Sequence, residues 1–78
     1  MPTLRLFAAV REAAGTRTAE FQGATVGDII DSAIAEFGAD FAALVPYCSV
    51  LLGNEPADRS TLVISDEEIA LLPPFSGG

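Results

Sequence analysis

The chain has no lysine, no histidine and no tryptophan, and a single cysteine, Cys48. Each absence excludes a class of chemistry. Without lysine there is no side-chain amine to carry biotin or lipoyl groups, or to hold pyridoxal phosphate as a Schiff base. With no histidine and one thiol, only carboxylates remain as metal ligands, and they form no clustered loop motif, so no metal site is expected. One cysteine cannot make an internal disulfide and fits a reducing, cytoplasmic setting. No apolar run approaches the length of a membrane span, and Met1-Pro2-Thr3 lacks the basic and apolar regions of a secretory signal. Positive charge is scarce too. Four arginines face eleven Asp and Glu, a net charge of −7. That disfavours nucleic acid, which requires a basic footprint, and favours a basic partner surface.

What is present is a small, half-apolar chain of 78 residues, enough for one domain with a modest core. Thr3 to Ala8 alternates with period two and reads as a strand. Leu4, Leu6 and Ala8 share one face; Arg5 and Phe7 share the other. Ala9 to Ala14 reads as a single helical turn that stops at Gly15. Thr16 to Phe21 is β-leaning and is expected to pair antiparallel with the first strand.

Thr25 to Phe37 is the clearest helix. Thr25 is placed to cap it, with Asp28 three residues on in the manner of a capping box. Val26, Ile29, Ile30, Ala33, Ile34 and Phe37 fall on one face, and Gly38 is the expected stop. Ala39 to Val45 adds another turn before Pro46. Cys48 to Leu52 reads as a strand, Gly53-Asn54 as a turn, and Glu55-Pro56-Ala57 as a short edge strand, where proline is tolerated. Asp58 to Ile64 is expected to cross as a loop with Leu62 and Ile64 tucked beneath it. Glu68 to Leu72 is the final strand, with Ile69 and Leu71 facing the core and Ala70 and Leu72 facing away.

A single amphipathic helix must bury its face on a sheet. The order of elements therefore predicts an α+β fold, a β-grasp or ubiquitin-like roll. Its mixed sheet packs on one main helix, with the first and last strands central, adjacent and parallel. The expected organisation is a β-grasp domain over residues 1–72 and an extended arm over residues 73–78. Pro73-Pro74 ends the last strand, because proline cannot donate to a ladder. Six residues then reach the terminal carboxylate, roughly 20 Å at about 3.3 Å each. Gly77-Gly78, without Cβ atoms, is the thinnest tip a polypeptide can present. Such a tip suits a carboxylate that must enter a narrow active site of another protein.

Other candidate chemistry is weak. Asp31-Ser32 is reminiscent of an acyl carrier's phosphopantetheine site, but it sits in mid-helix, lacks the following leucine and accompanies strand patterns. Cys48 opens an apolar strand with no histidine to activate it, and Ser76 has no neighbouring base. Arg11 and Glu12 beside Gly15 read as a solvated turn with a local ion pair. Phe7 and Leu72 are more informative. Parity puts both on the sheet face away from the helix, at the root of the arm, and an apolar patch on an acidic surface marks a protein contact.

Two stretches together resemble a known family. Leu6-Phe7-Ala8-Ala9-Val10-Arg11-Glu12 with Gly15-Thr16, and Ala70-Leu71-Leu72-Pro73-Pro74-Phe75-Ser76-Gly77-Gly78, resemble the small subunits of molybdopterin synthase, in the MoaD/ThiS group of ubiquitin-like sulfur carriers. The resemblance implies that the chain is not an enzyme alone. An E1-like enzyme would use ATP to adenylate the Gly78 carboxylate, and a sulfur donor would displace AMP to leave a thiocarboxylate. The large subunit, in a heterotetramer, would supply the catalytic residues that pass sulfur to cyclic pyranopterin monophosphate. Gly77 and Gly78 would be the reacting tip; Phe7, Leu72, Pro73, Pro74, Phe75 and Ser76 would contact the partners; no cofactor would be bound. Carriers for thiamin or cysteine synthesis share the Gly-Gly ending, as do ubiquitin-like modifiers, and both alternatives stand open on these residues.

Overall fold

The first and last strands lie side by side in parallel at the centre of the sheet, with Leu6 paired to Leu71. The computed structural model describes residues 1–64 and 66–74. Along the chain run β1 (Thr3–Leu6), α1 (Ala8–Ala14), β2 (Thr18–Glu20), α2 (Val26–Phe37), α3 (Ala39–Leu44), a 3-10 turn (Val45–Tyr47), β3 (Ser49–Leu52), β4 (Glu55–Pro56) and β5 (Glu68–Leu72). The five strands form one sheet in the order β2-β1-β5-β3-β4. Only β1 and β5 pair in parallel; the other neighbours are antiparallel. This is the expected α+β, β-grasp architecture.

Parity decides the core. Leu4 and Leu6 of β1 and Ile69 and Leu71 of β5 are buried on one face, against Val26, Ile29, Ile30 and Ala33 of α2. Val10 of α1 and Phe41 of α3 are buried in the same cluster. Each buried Val, Leu, Ile or Phe side chain among them contributes roughly 1.5–3 kcal/mol on leaving water. Pro56 sits in β4 at the sheet edge, opposite Leu51, where its missing N–H breaks no interior ladder.

Caps set the helix limits. Thr25 is extended (φ −129°, ψ 162°), and its hydroxyl accepts the Asp28 N–H at 3.1 Å, a cap worth about 1 kcal/mol. The reciprocal bond of the capping box is displaced by one residue: Asp28 accepts from the Ala24 N–H at 3.3 Å. At the end of α1, Gly15 adopts φ 76° and its N–H donates to the Arg11 carbonyl at 2.9 Å. That left-handed conformation is the reason a glycine ends this helix.

Three expectations are corrected. β1 stops at Leu6 rather than Ala8: Phe7 stays extended as the residue before α1, and Ala8 turns the chain at φ 50°. The β propensity of the stretch yields to packing, since the turn swings Val10 into the core. Leu62 and Ile64 are not tucked under but 67% and 71% exposed. A bridge between Thr25 and Leu62 and the Val63 N–H bond to the Ala24 carbonyl fix the register, so Val63 packs inward and its neighbours point out. Finally, Arg11 and Glu12 make no ion pair among the described residues, because consecutive helical residues do not face each other.

Candidate functional site

The sheet face opposite α2 carries the surface that parity anticipates. Because Leu6 is level with Leu71, the next residues, Phe7 and Leu72, fall alongside each other and point away from the core. With Ala70 of β5 and Leu51 of β3 they line an open hollow of ≈ 360 Å³, whose polar rim is Arg5, Glu68 and the Gly53-Asn54 turn. Phe7 and Leu72 are half-buried. The Arg5 guanidinium lies 5.4 Å from the centre of the Phe7 ring and 3.4 Å from a Glu68 carboxylate oxygen. An exposed cation–ring contact and a long, solvated ion pair each contribute no more than about 1 kcal/mol. Their effect is to orient Arg5 rather than to stabilise the fold.

Phe7 also forms a wall of a second hollow, of ≈ 230 Å³, lined by Arg5, Leu6, Arg11, Arg17 and Thr18. Three of the four arginines of the chain meet there. Arg17 is brought in by the β1–β2 pairing, in which Arg5 is level with Thr18 and the Leu6 N–H donates to the Arg17 carbonyl at 2.8 Å. Arg11 arrives from the last turn of α1, where the carbonyl end of a helix favours a cation. Sequence reasoning singled out Arg11 but not Arg5 or Arg17. The parity of Arg5 with Phe7 and the antiparallel pairing of the first two strands were the signals that would have joined them.

Only the first two residues of the expected arm are described. β5 ends at Leu72, Pro73 is half-buried, and Pro74 is exposed. Phe75, Ser76, Gly77 and Gly78 lie outside the described residues. Cys48 is not poised for reaction. Its thiol donates to the Leu44 carbonyl at 3.4 Å, and burial pushes its pKa up. Asp31, of the Asp31-Ser32 pair, is held by Arg59 through both carboxylate oxygens at 2.8 Å. No helix among the described residues is long and apolar enough to cross a membrane.

The model of the ThiS family matches residues 4–78. The chain belongs to the ThiS family. This ThiS-family chain is 34% identical over 84 residues to small archaeal modifier protein 1 of Haloferax volcanii, covering 95% of the chain and 97% of that relative. The solution structure of small archaeal modifier protein 1 from Methanosarcina acetivorans superposes with a TM-score of 0.87 at 26% identity, covering 99% of the chain and 95% of the other. At 18% identity and a TM-score of 0.82, the putative molybdopterin converting factor subunit 1 of Pyrococcus furiosus shares the fold, over 94% of the chain and 95% of its own. The family and the fold place the chain among small ubiquitin-like sulfur carriers and modifiers.

Proposed function

We propose that this ThiS-family protein is a cytoplasmic sulfur carrier for molybdopterin synthesis, acting as the small subunit of molybdopterin synthase. The observation that carries the reading is the apolar hollow of Phe7, Leu51, Ala70 and Leu72 at the point where β5 gives way to Pro73-Pro74 and the Gly77-Gly78 ending. A docking face and the start of an arm share one strand end. The arm would therefore leave a bound partner surface in a fixed direction, which is what delivery of a carboxylate to near-attack distance demands.

The chemistry follows from the poor electrophilicity of a carboxylate. An E1-like enzyme joins a Gly78 oxygen to the α-phosphate of ATP and expels pyrophosphate. A sulfide-level sulfur donor then attacks the acyl carbon and AMP departs, leaving a thiocarboxylate. The large subunit supplies the acid and base groups for sulfur transfer. This chain supplies the sulfur, the reach and the docking face; Phe75 and Ser76 act as the spacer between prolines and tip.

A second reading has its own support in the 34% identity to a protein named as a modifier. A modifier would pass the same activated Gly78 to an amine of a target protein. The fate of Gly78 separates the two. Intact mass after incubation with the activating enzyme, ATP and sulfide shows sulfur replacing oxygen if the chain is a carrier. An isopeptide-linked conjugate with no thiocarboxylate supports the modifier instead.

A further inference from the structure

In a chain of net charge −7, three of four arginines converge on one hollow beside Phe7, and among the described residues no carboxylate lines it. The fourth, Arg59, shows what a satisfied arginine looks like here, with both oxygens of Asp31 at 2.8 Å. Among the described residues Arg5 makes one long ion pair, to Glu68 at 3.4 Å, and Arg11 and Arg17 make none. We propose that this hollow receives a carboxylate-bearing segment of a partner protein, whose adjoining apolar residues cover Phe7 and Leu72. The inference rests on the reading of the Phe7–Leu72 face as a docking surface and adds the chemistry of what docks there.

Charge complementarity selects the occupant. The surrounding surface is acidic, so a polyanion such as nucleic acid would be repelled over most of its length. A single acidic segment meets attraction only where the arginines gather. Guanidinium groups suit carboxylates because their planar forks bind both oxygens at once. Phe7 and Arg5 line both hollows, so the cationic one adjoins the apolar one. A basic partner surface can still approach the rest of the chain. The arginines then fix the register in which that approach ends.

The test is titration of the purified E1-like activating enzyme from the same source against three forms: the parent, Arg11→Glu/Arg17→Glu and Arg11→Lys/Arg17→Lys. Both arginines are exposed, and circular dichroism checks that each variant folds. The glutamate variant is expected to bind roughly tenfold or more weakly at low salt, with the gap closing as salt rises. The lysine variant is expected to recover most of the affinity. Equal affinity of the parent and the glutamate variant overturns the proposal. Thiocarboxylation of the parent is scored separately: its failure strikes the sulfur-carrier reading, whereas the titration strikes the arginine hollow alone.

Discussion

Phe7 and Leu72 each follow by one residue the paired Leu6 and Leu71 of the two parallel strands, and line one hollow on the face away from α2. One residue holds the entrance to α1 and the other the exit of β5. A partner that covers both therefore touches the ends of the two central strands together, next to Pro73.

Charging this patch should uncouple docking from folding. Phe7→Lys or Leu72→Lys is expected to weaken partner binding by about 2 kcal/mol or more, because the apolar anchor is lost and a charge is carried into the contact. Gly77→Leu should differ, lowering sulfur-transfer turnover more than affinity. Calorimetry and single-turnover assays on the same variants check both, and unchanged binding by both lysine variants removes the patch from the mechanism.

Core substitutions should follow burial. Ile30 is 1% exposed, and Ile30→Ala is expected to cost about 2–5 kcal/mol. Ile34 is only partly buried at the margin of the cluster, so Ile34→Ala should cost less. Urea denaturation ranks the two, and the reverse order would mean that the other flank of α2 faces the sheet.

The turn at Ala8 predicts an unusual glycine effect. An L-residue in the left-handed region carries roughly 1–2 kcal/mol of strain, and Ala8 sits at φ 50°. Ala8→Gly relieves it, whereas Ala9→Gly one residue later costs the usual ~1 kcal/mol of helix propensity. The first variant should therefore melt above the second; equal melting temperatures would argue that Ala8 is unstrained.

Acid should loosen the loop that follows β4. Asp58 accepts from the Ser60 hydroxyl at 2.7 Å and the Ser60 N–H at 2.9 Å. These bonds, with help from Thr61, hold its carboxyl below the ordinary 3.8. A depressed folded value means the contribution is fully present above the unfolded carboxylate range and is lost as pH falls through the lowered value. The melting difference between the parent and Asp58→Asn should be small, largest near neutral pH, and absent in strong acid. A difference that persists in acid would mean that the charge plays no part.

Much of this was legible because short-range rules decide it. Alternation put Leu4, Leu6, Ile69 and Leu71 inside, and Thr25, Gly15 and Gly38 marked helix ends by their own chemistry. Legibility failed where distant pairing sets the register. Leu62 and Ile64 face out because the loop is stitched to Ala24 and Thr25, which no local pattern reveals. Arg5 and Arg17 are brought together by the β1–β2 pairing and Arg11 joins them from the last turn of α1, which no local pattern joins. For the site, parity placed Phe7 and Leu72 together, while the tip itself rests on Gly77-Gly78 as residue types.

The central claim is that the Gly78 carboxylate is the business end of the protein, and intact mass spectrometry tests it most directly. Incubated with an E1-like activating enzyme, ATP and sulfide, the parent should gain the mass of sulfur replacing one oxygen at Gly78. Deletion of Gly78 or an uncleaved C-terminal extension should abolish that gain, although the fold persists. A parent chain that remains unmodified, or an extended chain that still restores molybdopterin synthesis, would contradict the account.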